Sequence, residues 1–298
     1  MKVSVLMVVY NHERFVRQAV DSVLCQQTDF EFEVVVGEDH STDSTREILR
    51  KLDQENPGRL RLLFRDSNLG MSYNFVDTYE HCQGEFVTIL DGDDYWSNPH
   101  KLAKQVALLE ANPDAALCFG RARIEYESGA ASKVIPPEQR NDWPLEELLI
   151  ASFIPACTVM YRHYDLGPIP EWIHELSLCD WPFHVLHALR GKMLLLDEEL
   201  AVYRVHGGGC WSQLQEDARL FKEIDFYRAI LTVLPQPYQR VARAQLLERL
   251  YDQANKAYRE GRTKDAKTLF AEALASERPG AKLPLRRKLR MGHRLSKS

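Results

Sequence analysis

The sequence lacks long apolar runs and paired cysteines. No stretch approaches the roughly 20 apolar residues of a membrane-spanning helix. The six cysteines are scattered and none forms a CxxC pair, which argues against a disulfide framework and favours reduced thiols. The strand-like run at residues 3–9 is too short and too rich in β-branched residues for a signal peptide. We therefore expect a cytoplasmic protein.

The chain also lacks a strong excess of charge. Its net charge of −5 gives no reason to expect nucleic-acid binding, and it contains no recognised nucleic-acid-binding module. The exception is the segment 281–298, which has seven Lys or Arg residues and no Asp or Glu. Leucine and methionine alternate with these cations over 283–295, so this tail either lies on an anionic membrane surface or is a solvated basic end.

What stands out is a run of three carboxylates, Asp91, Asp93 and Asp94, directly after the apolar run 86–90. Like charges this close repel, and ionised carboxylates held together usually need a cation. Oxygen ligands with no Cys or His beside them suit Mg²⁺ or Mn²⁺. The alternative is a helix N-cap and turn, where Asp is common. A cation at the end of a buried strand indicates an enzyme that handles phosphates.

Strand-like and helix-like segments alternate through the first part of the chain. Strands are predicted at 3–9, 32–36, 60–64, 85–90 and 115–119, and helices at 14–26, about 42–52, 73–82 and 101–110. This order predicts an α/β fold with a mainly parallel sheet and helices on both faces. Ligands collect at the carboxyl ends of such strands, where polar clusters stand at 10–11, 38–39 and 91–94.

The regularity weakens further along the chain. Residues 128–143 predict a mobile surface loop, residues 205–209 a flexible loop, and the chain from 215 onward is helical. Short helices are predicted at 144–151 and 181–189, and strands at 156–161, 193–196 and 200–203. Residues 251–275 resemble a single tetratricopeptide-type hairpin, which favours a packed helical pair over a peptide-binding array. The predicted division is 1–212 and 213–298.

Four motifs together resemble the family 2 glycosyltransferases, which have the GT-A fold. They stand at 5–11, at 35–43, at 68–70 with 84–96, and at 203–212. The resemblance covers roughly residues 1–212 and implies a GT-A domain followed by a helical extension. It also implies an inverting transfer of a sugar from a nucleoside diphosphate to an acceptor hydroxyl.

The resemblance implies which residues contact the donor. Asp39 would hydrogen-bond the nucleobase, which points to a UDP- or dTDP-sugar, and Tyr10 would stack on it. For Asp39 and Glu38 the alternative is an N-cap, and for Tyr10 a tyrosine at the edge of the core. The implied nucleotide-binding set is Val9, Tyr10, Glu38, Asp39, Asn68, Gly70, Asp91, Gly92, Arg204 and Trp211.

The resemblance also implies a metal site for Mn²⁺ or Mg²⁺ at Asp93, Asp94 and His206, with His206 contacting either the metal or the diphosphate. It leaves open whether Asp93 or Asp94 binds directly. Arg204 would contact phosphate or orient the loop, and the glycines at 207–209 fit a lid, with Trp211 covering the sugar.

An inverting transfer needs a general base at the acceptor hydroxyl. Asp180 is the candidate, because similar enzymes place an acidic residue at the start of a helix, here before Trp181 and Pro182. The competing reading is N-capping ahead of a proline at the first helical turn. Glu175 is the substitute.

The implied acceptor is a surface polysaccharide or a lipid-linked glycan, with the basic tail as a peripheral contact to the inner face of the membrane. Two other functions compete. A nucleotidyltransferase would need a Gly-rich basic loop after the first strand, where this chain has residues 10–13, Tyr-Asn-His-Glu. A non-catalytic nucleotide-binding scaffold would use the helical C-terminus for a partner, but the intact carboxylates argue against it. The sequence leaves the donor sugar, the linkage and a homo-oligomer undetermined.

Overall fold

The computed structural model describes residues 1–137, 143–164, 169–209 and 214–296. The chain forms two compact units. The first comprises residues 1–144 and 152–213, and the second comprises residues 145–151 and the chain from 214 onward. The predicted boundary at 212 assigns residues 145–151 to the first domain, whereas the structure groups them with the C-terminal helices.

The first unit is built on one sheet. Its strands are β1 (Val3–Val9), β2 (Phe32–Glu38), β3 (Leu60–Phe64), β4 (Phe86–Asp91), β5 (Tyr95–Trp96), β6 (Ala115–Tyr126), β7 (Lys133–Ile135), β8 (Met160–Arg162) and β9 (Lys192–Val205). Their order is β3-β2-β1-β4-β8-β6-β9-β5, with β7 paired to β6. Strands β1 to β4 are parallel to their neighbours in this half, and β8 runs antiparallel to both β4 and β6. The α/β prediction is confirmed, and the antiparallel pairings lie in the second half of the sheet.

The helices of the first unit follow the strands in sequence. They are α1 (Val16–Leu24), α2 (Thr45–Glu55), α3 (Met71–Glu80) and α4 (Lys101–Ala111). After α5 (Leu145–Leu148), which belongs to the second unit, come a 3₁₀ turn (Ala156–Thr158), α6 (Trp172–Glu175) and α7 (Asp180–Ala188). Nearly every residue of β1 is buried, since a parallel sheet needs cover on both faces.

Three predicted segments differ from the structure. The strand predicted at 156–161 is a 3₁₀ turn followed by β8. The predicted loop at 128–143 contains β7, and its residues 138–142 lie outside the described residues. The two strands predicted at 193–196 and 200–203 are one strand, β9.

The three acidic residues between the two predicted strands have cationic partners in neighbouring elements. Asp197 pairs with Arg121 at 2.5 Å, Glu198 with Lys104 at 2.5 Å, and Glu199 with Arg123 at 2.8 Å. The strand therefore continues through this polar stretch.

The second unit is helical, as predicted. After α5 it contains α8 (Glu216–Ile230), α9 (Gln236–Arg259), α10 (Thr263–Ala275) and α11 (Leu285–Ser296). The tight connection between α9 and α10 has Gly261 at φ +78°, a conformation that favours glycine. Small residues, Ala257 and Ala266 among them, are fully buried on these two helices. None of the described helices is long and apolar enough to cross a membrane.

Candidate active site

The predicted acidic run forms a compact cluster at the carboxyl end of β4. Asp91, Asp93 and Asp94 each place a carboxylate oxygen within 4.8 Å of the others. Gly92 is needed here because a Cβ at this position would lie 2.7 Å from His12 Nδ1 and 2.9 Å from Val9 Cγ2. The turn thus brings the three carboxylates against the end of β1.

Burial and mutual repulsion shape the protonation of this cluster. Burial, the charge of Asp93 and the charge of Asp180 raise the pKa of Asp91 to about 8. Burial and the charges of Asp93 and Asp91 hold the pKa of Asp94 well above its usual value. Burial also acts to raise the pKa of Asp93, but the hydrogen bond with His206 and the nearby His12 bring it below its usual value. A divalent cation would relieve this repulsion, and the oxygen-rich donor set fits one.

Arg204, near the end of β9, and His206, directly after β9, lie beside the acidic cluster. His206 Nε2 lies 3.0 Å from Asp93 Oδ2, so two of the residues predicted to bind the metal are adjacent. The Arg204 backbone N–H donates to Asp94 Oδ1 at 2.8 Å, and its Nη1 donates to the Asp93 carbonyl at 2.7 Å. The guanidinium also lies over the rings of Phe15 and Tyr95. Of the two roles predicted for Arg204, orienting the loop is the one these contacts serve.

The sequence reasoning missed His12. Its Nε2 lies 3.7 Å from Asp93 Oδ2, so Asp93 stands between two imidazoles. The ring is 13% exposed, and its Nδ1 has no hydrogen-bond partner among the described residues. The signal was present, since His12 directly follows the polar pair at the end of β1.

A second cluster gathers at the end of β2 around Asp39. Its carboxylate accepts the backbone N–H groups of Leu69 at 2.7 Å and Gly70 at 3.0 Å. Asn68 Nδ2 donates to the Asp39 carbonyl at 3.1 Å. Gly70 has φ +87°, which favours glycine at this turn ahead of α3. Three predicted nucleotide-site residues, Asp39, Asn68 and Gly70, are therefore adjacent.

Two other members of the predicted nucleotide set, Glu38 and Val9, are buried. Glu38 is fully buried, and its carboxylate accepts from Arg46 at 2.5 Å and from the Ser41 N–H at 2.7 Å. Val9 has a buried side chain, and its carbonyl accepts the Asp39 N–H at 3.0 Å. Both residues thus have partners within the protein, and their part in nucleotide binding stays a prediction. Tyr10 is 40% exposed, and Trp211 lies outside the described residues.

Asp180 is the first residue of α7. Burial raises the pKa of its carboxyl, and its charge is close enough to raise the pKa of Asp91. The N–H groups of Trp181 and of Asp180 itself partly offset that shift. Asp180 thus combines a helix-start position with proximity to the acidic cluster, whereas Glu175 is exposed at the end of α6.

The sequence is similar to a known family and to bacterial proteins. The family model described as glycosyl transferase family 2 matches residues 4–166. An uncharacterized protein of Mycobacterium tuberculosis is 37% identical over 224 residues, covering 74% of this chain and 63% of its own length. The chain thus spans less than two thirds of this relative. TuaG of Bacillus subtilis, whose name describes it as a glycosyltransferase of teichuronic acid biosynthesis, is 33% identical over 181 residues. The match covers 60% of this chain and 70% of the length of TuaG.

Solved structures share the fold. Staphylococcus aureus TarS residues 1–349 in complex with UDP-GlcNAc align with a TM-score of 0.70 at 21% identity, covering 100% of this chain and 88% of that one. A Pyrobaculum calidifontis mannosyltransferase with GDP-Man and Mn²⁺ aligns with a TM-score of 0.59 at 17% identity, covering 100% of this chain and 81% of that one. The chain therefore has the same fold as these two proteins.

Proposed function

The chain belongs to the family 2 glycosyltransferases, and on that premise we propose that it is an inverting, metal-dependent enzyme. It transfers a sugar from a UDP- or dTDP-linked donor to a hydroxyl of a surface polysaccharide or lipid-linked glycan. The observation that carries this is the cluster of three carboxylates within 4.8 Å of one another, beside His206. TuaG, named for teichuronic acid biosynthesis, and TarS, solved with UDP-GlcNAc, support this acceptor class and this nucleotide.

Asp93 and His206 are the proposed direct ligands of Mn²⁺ or Mg²⁺. The Asp93 side chain is 17% exposed and adjoins His206, whereas Asp94 is 2% exposed and its Oδ1 accepts the Arg204 N–H. Asp93 is therefore the better placed of the two to meet a ligand from solvent, and Asp91 and Asp94 add negative charge behind it. A cation held there would neutralise the negative charge that develops on the diphosphate as its bond to the sugar breaks.

Asp39 and Tyr10 form the proposed nucleobase side of the site. The Asp39 carboxylate is fixed by Leu69 and Gly70 and retains lone pairs for an imide N–H. Tyr10, 40% exposed at the end of β1, offers a ring face for stacking. A carboxylate at this point favours uracil or thymine over bases that present only acceptors there.

Asp180 is the proposed general base. It takes the proton of the acceptor hydroxyl as that oxygen attacks the anomeric carbon on the side away from the diphosphate. Burial raises the pKa of the Asp180 carboxyl, which makes it a stronger base than a surface aspartate.

A screen of nucleotide sugars for donor hydrolysis tests the proposal and needs no acceptor. We expect turnover of at least one UDP- or dTDP-sugar with Mn²⁺ and none after chelation with EDTA. Asp93→Asn should lower the rate at least about 100-fold, because it removes a charged ligand. Asp21→Asn, at an exposed position on α1, is the matched control and should leave the rate unchanged.

Calorimetry with UDP, with and without Mn²⁺, separates this proposal from the scaffold alternative. Metal-dependent binding without turnover of any donor would favour the scaffold. If no nucleoside diphosphate binds in a metal-dependent way, the assignment of the acidic cluster is wrong.

A further inference from the structure

Helix α11 carries an exposed stripe in which leucines and arginines lie side by side. Leu285 is 70% exposed and Leu289 is 65% exposed, the highest values among the large hydrophobic residues of the described chain. Arg286 and Arg290 are also exposed, and neither forms an ion pair within the described ranges. We call these four residues, with His293, the outer face of α11.

The other side of α11 is already occupied by its own unit. Met291 is fully buried, Arg287 pairs with Glu248, and Lys288 Nζ lies 2.6 Å from Glu277 Oε2. Arg294 lies over the ring of Tyr258 at 5.7 Å. With about 100° between successive residues, the outer face spans an arc of about 140°, and these paired residues fill the opposite side. The two sets do not overlap, so the helix is docked and its outer face is left facing outward.

The chemistry of the outer face selects its partner. From 281 to 296 the chain has no acidic residue, and Glu248 and Glu277 contact the opposite side of the helix, so the outer face itself carries only positive charge. Anions alone would not explain two leucines held in water one helical turn apart. An anionic bilayer satisfies both features, because leucines enter the headgroup region while arginines pair with lipid phosphates.

We propose that the outer face of α11 is a docking surface for an anionic lipid bilayer. Nucleic acid and acidic proteins share the charge but give the leucine stripe less to bury. This surface is independent of the donor site, so it stands or falls separately from the proposed transfer reaction.

Co-sedimentation with lipid vesicles tests this surface. The full chain should bind vesicles of phosphatidylcholine with about 30% phosphatidylglycerol and bind pure phosphatidylcholine much more weakly. Arg286→Gln/Arg290→Gln should weaken the partition coefficient about 30-fold, since each basic residue contributes roughly fivefold to binding at such a surface. Leu285→Gln/Leu289→Gln should weaken it at least about tenfold without changing the net charge.

The matched control is Lys264→Gln/Lys267→Gln on α10, which removes two exposed positive charges elsewhere in the same unit. It should bind vesicles as the wild type does. An equal loss in this control, or no binding by the wild type, would overturn the proposal. Loss in the arginine variant with none in the leucine variant would also overturn it, in favour of a polyanion without an apolar interior. Circular dichroism and metal-dependent UDP binding, unchanged in all three variants, show that the fold and the donor site persist.

Discussion

At the scale of single residues, the site depends on carboxylates whose roles are set by their neighbours. Asp39, Asp93 and Asp180 are the same side chain in three environments. Asp39 is held by backbone N–H groups, Asp93 by imidazoles, and Asp180 is half-buried at the start of α7. In the proposed reaction, Asp39 therefore binds the nucleobase, Asp93 binds the cation and Asp180 takes the proton of the acceptor hydroxyl.

Asp180→Asn should separate chemistry from binding. Asparagine keeps the size of the side chain but cannot take the proton from the hydroxyl of the acceptor sugar. We therefore expect kcat to fall by about 10²- to 10⁴-fold. UDP affinity with Mn²⁺, measured by calorimetry, should change less than about twofold, since the base does not hold the nucleotide. Glu175→Gln is the control, and turnover close to wild type in Asp180→Asn would remove the base assignment.

Metal binding should release protons near neutral pH. The pKa of Asp91 is raised to about 8, so without metal this carboxyl is largely protonated at pH 7 and must lose its proton as a cation draws the cluster into its ionised form. Calorimetry in buffers of different ionisation enthalpy should show proton release at pH 7, and Mn²⁺ affinity should rise with pH. Asp91→Asn should lower this release, and Asp94, whose pKa is also raised, should account for what remains.

The same shift predicts a sign for stability. The folded-state pKa of Asp91 exceeds its ordinary value of 3.8, so the folded protein binds the extra proton. The metal-free protein should therefore lose stability as pH rises from about 4 to about 8. If stability rises with pH across this window, and rises equally in the wild type and in Asp91→Asn, the raised pKa of Asp91 is contradicted.

At the scale of elements, strand ends position the site and buried polar contacts hold the strand ends. Glu38 at the end of β2 is fully buried and depends on Arg46 of α2, which is 21% exposed. Arg46 also donates to the Arg65 carbonyl just beyond β3. This one guanidinium therefore links α2 with the ends of two strands beside Asp39.

Arg46→Met should destabilise the first unit by about 2 kcal/mol, because it leaves the Glu38 carboxylate buried without its cation. Urea unfolding followed by circular dichroism measures this. Arg50→Met on the same helix is the control, since Arg50 lies over the Phe64 ring and should cost less than about 1 kcal/mol. Adding Glu38→Gln to Arg46→Met should restore part of the loss; a further loss would show that uncompensated charge is not the cause.

At the scale of the whole molecule, two compact units have separate tasks in our proposals. The first contains every described residue of the donor site, and the second carries the outer face of α11. A ligand that binds the first unit should stabilise that unit, and a variant of the second should leave donor binding intact.

UDP with Mn²⁺ should raise the melting temperature of the first unit. At about 100 times the dissociation constant, binding adds about 2.7 kcal/mol, which corresponds to a shift of about 5 °C or more. Where the two units melt in separate transitions, only one transition should move. A shift of the same size in EDTA would mean that nucleotide binding does not need the cation.

The sequence by itself determined the parallel βαβα half of the sheet, the helical C-terminal region and the acidic run at a strand end. These are local signals, since periodicity and a polar stop at the end of an apolar run can be read within a short window. The four ordered motifs extended this to the family. The same logic applied to the end of β1 would have included His12.

Only the tertiary structure showed the roles of residues whose partners are distant in the sequence. Arg204 reaches the Asp93 carbonyl across 111 residues, which makes it an anchor of the acidic loop. Glu38 is drawn inward by Arg46, and β9 continues through its acidic stretch because cations from other elements face it. A polar residue in a sequence does not reveal whether it will meet solvent, a ligand or a buried counter-charge, since burial and pairing are set by packing.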